Sequence, residues 1–219
     1  SSMSHNLKER ILAGVAEDLA EIEEELKANI TPYLERVTEI AGHLLFNGGK
    51  RMRPLFMVLS AKLCDYRGNY DKTFSVIFEY VHTASLLHDD LVDAATMRRG
   101  KPVANALWGN TSAVLVGDYL LARASSIAVK AEKLEILEIL ATVTEHMVQG
   151  ELHQLSRKGK TDLSEEEYLQ IIRNKTAALI QGACRSGAII ANASPEKKQA
   201  LADYGLNVGM AFQMADDLL

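Results

Sequence analysis

His88-Asp89-Asp90-Leu91-Val92-Asp93 sets three carboxylates within five residues, and Arg98-Arg99-Gly100 comes shortly after. If the apolar run from Phe78 to Leu91 is helical, Asp93 sits about 40° round the axis from Asp89, one turn on. Asp90 is about 100° away, so one broad face carries all three acids. Carboxylates that close repel one another and have raised pKa values unless a cation intervenes. An all-oxygen donor set suits a hard divalent ion, Mg²⁺ above all with Mn²⁺ as a substitute, better than zinc, which prefers nitrogen and sulfur. The arginine pair offers fork-shaped donors for phosphate oxygens. Metal-binding acids beside arginines at a helix end describe a diphosphate site. The competing reading is an exposed acidic helix end joined to a basic loop.

Four further groups bear on that choice. Gly48-Gly49-Lys50-Arg51-Met52-Arg53-Pro54 packs three cations into a turn before a helix. Glycines there let the backbone approach a ligand, and a helix N-terminus favours an anion. The glycine, lysine and Ser/Thr spacing is not that of a nucleotide P-loop. His82 stands two turns before Asp89 on nearly the same face, so it is a candidate phosphate donor. His88, closer to the acids, reads as structural. Lys175-Thr176 interrupts an apolar helix, and a lysine there either snorkels outward or meets an anion inside. Gln213, Asp216 and Asp217 fall at i, i+3 and i+4 near the end of the chain, on one side of a helix. An acidic pair there is ordinarily surface; a partner cluster half a chain earlier gives it weight.

The elements that must position these groups read as helices nearly throughout. The chain has 219 residues and only four prolines, and Ala, Leu, Glu and Lys fill its long segments. Leu7 to Ala28 carries one apolar stripe. Thr31-Pro32 predicts the start of a second helix, ending near Asn47-Gly48-Gly49. Pro54 opens a third to about Leu63, Lys72 to Asp93 leads into the acids, and a Gly- and Lys-rich loop comes after them. Thr111–Lys130 and Glu132–Ser156 are next. Ser164 with Glu167 forms a capping box for a helix reaching Ile190, and Ser194-Pro195 caps the last. Thr111 to Val129 and Thr176 to Ala191 are apolar all round, as inner helices of a large bundle would be. The fold class is therefore all-α, a large antiparallel helical bundle around a central cavity, with 1–219 as a single domain.

Composition narrows the function. Net charge is −5 with 47% hydrophobic and 24% charged residues, so nucleic-acid binding has no electrostatic footprint. Cys64 and Cys184 lack metal-type spacing and fit a reducing compartment. With no signal peptide and no apolar run expected to span a bilayer, the reading is cytoplasmic, with at most transient membrane contact for product release.

Taken in order, Gly-Gly-Lys-Arg-x-Arg-Pro, His-Asp-Asp-x-x-Asp with Arg-Arg-Gly-Lys-Pro, Gly117-Asp118-Tyr119-Leu120, Lys-Thr and Phe-Gln-x-x-Asp-Asp resemble the all-trans isoprenyl diphosphate synthases, or polyprenyl synthetases. That family's fold is an all-α bundle around a deep cavity, usually as a homodimer. The resemblance implies that Asp89, Asp90 and Asp93 hold Mg²⁺, with Asp216 and Asp217 holding a further ion from the opposite wall. It implies Arg98, Lys175, Thr176 and Gln213 as contacts of an allylic diphosphate. Lys50, Arg53, His82 and Arg99 would bind isopentenyl diphosphate. Bulky residues just before the acids close the cavity floor in the family; here Val81, Ala84 and Ser85 stand there. The small Ala84 and Ser85 predict an open floor and a long-chain product, similar to the octaprenyl or heptaprenyl type used for quinone side chains. A shorter farnesyl or geranylgeranyl product is the nearer alternative.

One departure matters. The family's second acidic motif continues through another aspartate where this chain ends, so its C-terminal helices are expected to lie beyond Leu219 or, if lacking, to leave catalysis impaired. A different class, a di-iron carboxylate bundle, would use Glu79-x-x-His82, but it needs a second such pair and none is present.

Overall fold

The computed structural model describes residues 2–47 and 49–218; Gly48 of the basic turn and the terminal Leu219 lie outside them. The helices are α1 (Ser2–Ala28), α2 (Glu35–Leu45), α3 (Met52–Leu63), α4 (Asp71–Val92), α5 (Ala104–Trp108), α6 (Asn110–Lys130), α7 (Leu134–Ser156), α8 (Glu165–Ile172), α9 (Ala178–Ile190) and α10 (Pro195–Leu218). A π-helical turn, Arg173–Ala177, joins α8 to α9, and strands β1 (Met97–Arg98) and β2 (Lys101–Pro102) form a hairpin between α4 and α5. The all-α reading holds.

α9 is the innermost element: every residue of Ala178–Ile190 except Gln181 and Arg185 is buried. It can lie that close because Gly187 has no Cβ to strike the backbone of Met57 in α3. Against it pack α3, α4, α7 and α10. One hydrophobic cluster runs from Ile22 and Leu26 of α1 through Phe78 and Tyr80 of α4 to Leu120 of α6 and Ile189 of α9. The other inner-helix expectation fails. α6 buries Val116, Leu120, Ala124 and Ile127 against α4, but Leu115 and Val129 are each 59% exposed, so its outer face is open. By length and mean hydropathy (1.3 over the most apolar 18-residue window) α6 is also long enough to cross a membrane, which the sequence reading did not expect; here it is a bundle element.

Two helix starts are instructive. Ser164 caps α8 as predicted, its side chain accepting from the Glu167 N–H at 3.0 Å. The Thr31-Pro32 start does not form. Asn29 folds its amide onto the Glu25 carbonyl and closes α1. Ile30 is drawn into the core and no helix forms until α2 opens at Glu35, with Leu34 extended at φ −107°, ψ 122°.

Candidate active site

The basic turn is built from a buried clamp. Arg51 adopts a left-handed conformation (φ 56°) ahead of α3, with its side chain 4% exposed. Its guanidinium donates to Glu23 of α1, to the Leu45 carbonyl that ends α2, and to Glu79 of α4 at 3.3 Å. Three helices are thereby tied to the residue between Lys50 and Arg53. Arg53 is half-buried near Glu79, and its Nε, shut off from solvent, has no hydrogen-bond partner among the described residues. Burial raises the Glu79 carboxyl, opposed by Arg53 and Arg51, and lowers Arg53. Glu79 is thus a counter-ion of the arginines, which removes it as a ligand in the di-iron alternative. One turn on, His82 is held neutral well below the usual histidine range, by burial and then by Arg53, Arg98, Arg99 and Arg51. The four guanidinium groups and His82 form one cationic corner, with an unsatisfied donor in it. Lys50 stands exposed at its edge.

Arg98 and Arg99 reach that corner on the hairpin. Arg99 (φ 49°) and Gly100 (φ 75°) form the two-residue turn with both φ positive that suits a tight hairpin, and Arg98 faces Lys101. His43 of α2 pins the second strand through the Pro102 carbonyl at 2.8 Å. The sequence predicts only a loop here; the paired strands are an addition to it.

The three acids do not act as one cluster. Asp90 is buried and turned to Arg98, which donates to it through Nη2 at 2.6 Å and Nε at 3.2 Å. Asp90 therefore fixes the arginine; the carboxylates left to a ligand are Asp89 and the exposed Asp93. Asp89 is pushed up to about 8, by burial first, then by its hydrogen bond to Glu151 and the charges of Glu151 and Asp93; Lys175 opposes this. His88 packs against Gly117, where any Cβ would strike its ring, and lies 3.4 Å from Asp118, which accounts for the Gly-Asp pair in structural terms.

α7 supplies what the sequence reading missed. Lys175 Nζ lies 2.5 Å from Glu151, donates to Gln154 at 2.5 Å, and is 3.8 Å from Asp89. The π-helical turn delivers it: such turns recur at functional sites because the wide turn re-aims its side chains. Gly150 lets that turn approach, since a Cβ there would come within 2.6 Å of Lys175 Cγ. A glycine in mid-helix next to an acid was the available signal.

Two chambers meet here. A polar one of about 420 Å³ is lined by Asp93, Lys175, Thr176, Gln213 and Asp217 among others, with Lys158 and Lys160 at its edge. Asp217 accepts from Tyr168 and, at 2.9 Å, from Gln213. Asp216 is exposed and is not part of this lining, so of the second acidic pair it is Asp217 that faces Asp93. The second chamber, about 270 Å³ and largely apolar, runs below Asp89 past Ser85, Val81, Leu121, Met147 and Leu152. Ala84 does not line it. It is fully buried in the core beside that lining, so of the three floor residues only Val81 and Ser85 face the cavity.

The donor set fits a divalent cation of the magnesium kind. Mg²⁺ is commonly held by one or two carboxylates and completes its shell with phosphate oxygens and water. Asp89 and Asp93 are such a pair, and a cation would offset the burial and the neighbouring acids that raise Asp89. Among the described residues no three acids, histidines or cysteines converge into a closed cage.

Comparison with known proteins agrees with this geometry. The family model described as polyprenyl synthetase matches residues 34–219. Octaprenyl diphosphate synthase of Escherichia coli is 37% identical over 211 residues, which cover 96% of this chain and 65% of that protein. A decaprenyl diphosphate synthase from Rhodobacter capsulatus superposes with a TM-score of 0.91 at 40% identity, covering 96% of this chain and 65% of that one. A polyprenyl synthase from Caulobacter crescentus, solved with calcium and isoprenyl diphosphate, gives 0.90 at 40% identity over 95% and 64%. The chain thus spans about two thirds of the length of the relatives it matches. It belongs to the polyprenyl synthetase family.

Proposed function

We propose that 1–219 forms a single isoprenoid synthase domain whose activity is condensation of isopentenyl diphosphate with an allylic diphosphate to give a long-chain all-trans polyprenyl diphosphate, plausible as a quinone side-chain precursor. The observation that carries this reading is the direct junction of an ionic chamber with an apolar one, Glu151 and Lys175 lining both. An amphipathic diphosphate has that shape. The similarity to octaprenyl and decaprenyl synthases supports the long chain.

In this mechanism Lys175, Arg98, Thr176 and Gln213 orient the allylic diphosphate. Lys50, Arg53, His82 and Arg99 hold the second diphosphate, with the unpartnered Arg53 Nε supplying a donor. Asp89 and Asp93 on one side, and Asp216 or Asp217 on the other, would hold Mg²⁺, whose charge would stabilise the negative charge developing on the leaving diphosphate. The carbon–oxygen bond of the allylic substrate breaks to give an allylic cation and diphosphate. The double bond of the isopentenyl unit attacks that cation, and the proton it then loses goes to the departing diphosphate. No side-chain nucleophile takes part. The growing chain descends past Ser85 and Val81. The exposed apolar face of α6 and α7 (Leu115, Val129, Val148) suits burial against a second copy, so we place the enzyme as a cytoplasmic homodimer.

The test is incubation of the purified protein with farnesyl diphosphate, labelled isopentenyl diphosphate and Mg²⁺, with chromatography of the products. Multiply extended chains are expected; an unextended primer overturns the reading. Ser85→Phe, which narrows the apolar chamber, is expected to shift the products to shorter chains in the same assay, whereas Ala84→Phe overpacks the core instead.

A further inference from the structure

Glu151 belongs to none of the motifs that mark the family in this sequence, yet it occupies the point where the two chambers meet. Its carboxylate is 2.5 Å from Lys175 Nζ and shares a hydrogen bond with Asp89, and Gln154 accepts from the same ammonium at 2.5 Å. Glu151 and Lys175 are 28% and 22% exposed at the side chain, so the pair is reachable by a ligand and is no core ion pair. A pair that open contributes little to stability, about 0–1 kcal/mol. It does confine a lysine with four rotatable bonds, and a ligand that meets an already oriented cation loses less in ordering it.

We propose that Glu151 is the positioning residue for Lys175, holding the ammonium where the ionic chamber gives way to the apolar one, so that the diphosphate of the allylic substrate is fixed at that depth and its hydrocarbon begins below it. The ligand's name rests on the prenyl-transfer reading; the geometry does not. The two can be separated because charge and position predict opposite signs. Removing a carboxylate beside an anion site should tighten anion binding if Glu151 acts only through its charge. Removing the residue that orients Lys175 should weaken it.

The experiment is calorimetric titration of magnesium pyrophosphate into wild type, E151A, E151Q, K175Q and E151A/K175Q. E151A is expected to bind about tenfold more weakly at an unchanged melting temperature. E151Q, which keeps an acceptor for the ammonium, should bind at least as tightly as wild type. The double variant should be no weaker than K175Q alone, because the two residues act as one unit. In turnover, E151A should raise KM for the allylic primer and leave KM for isopentenyl diphosphate in place. Unchanged or tighter binding by E151A, or losses that multiply in the double variant, overturn the proposal. Pyrophosphate binding needs no turnover, so an absence of prenyl transfer would sink the functional reading while the Glu151 assignment is judged on the titrations alone.

Discussion

The two sides of the candidate site are made differently. On the α3–α4 side, Arg51 pairs with Glu79 in the interior and the half-buried Arg98 pairs with the buried Asp90, and each contact ties one helix or hairpin to another. On the α8–α10 side, Asp217 rests on Tyr168 and Gln213 in contacts that stand in solvent, and Asp216 is exposed. The first wall is preorganised by charges that already have partners. The second has acids near a helix end and little to hold them in one geometry. Under the proposed function, a site built this way would recognise one diphosphate on a fixed surface and use ligand and metal to draw in the other side.

The contrast is easiest to break through stability. Glu79→Ala leaves Arg51 buried with one counter-ion fewer and should cost about 3–5 kcal/mol, read as a lowered urea midpoint. Tyr168→Phe on the other wall should leave the same midpoint nearly unmoved. Equal losses would mean the two walls are alike. Next comes catalysis. Asp89→Asn should reduce kcat by about 10²–10³, the scale of losing one charge-stabilising group, and Asp217→Asn by only about tenfold. A comparable loss at Asp217 would show that the open wall is as well organised in the working enzyme.

A smaller effect sharpens the same point through pH. His82 titrates well below 6.5 in the folded protein, whereas the unfolded chain takes up the proton near 6.5. Below that pH the unfolded state binds the extra proton, so stability falls as pH falls, by at most about 1.4 kcal/mol per pH unit from this group. His82→Gln should flatten the acid limb of a stability profile between about pH 6.5 and 5. An unchanged slope would mean that His82 is protonated in the folded state and that its corner is less cationic than described.

Periodicity made most of the helices legible, because an apolar stripe with a polar back face is a local pattern. What stayed hidden was set by partners distant in sequence. Asp90 looked like the equal of Asp89 on the helical wheel, and only the hairpin that brings Arg98 round distinguishes them. Ala84 and Ser85 are adjacent small residues, yet one faces the core and the other the cavity. α6 is apolar all round in composition, while its neighbours cover one side alone. Glu151 carried no motif and was missed altogether. The π-helical turn had no signature beyond a lysine in an apolar stretch.

That turn has a consequence for how the chain tolerates change. Because it winds one residue more than an α-helical turn, deleting any single residue from 173–177 would let the segment close as ordinary helix with α9 kept in phase with α8. The inner helix would keep its buried face, and the wide turn that aims Lys175 at Glu151 would be gone. Lengths that a sequence comparison would treat as interchangeable are, at this place in the molecule, tied to a single count.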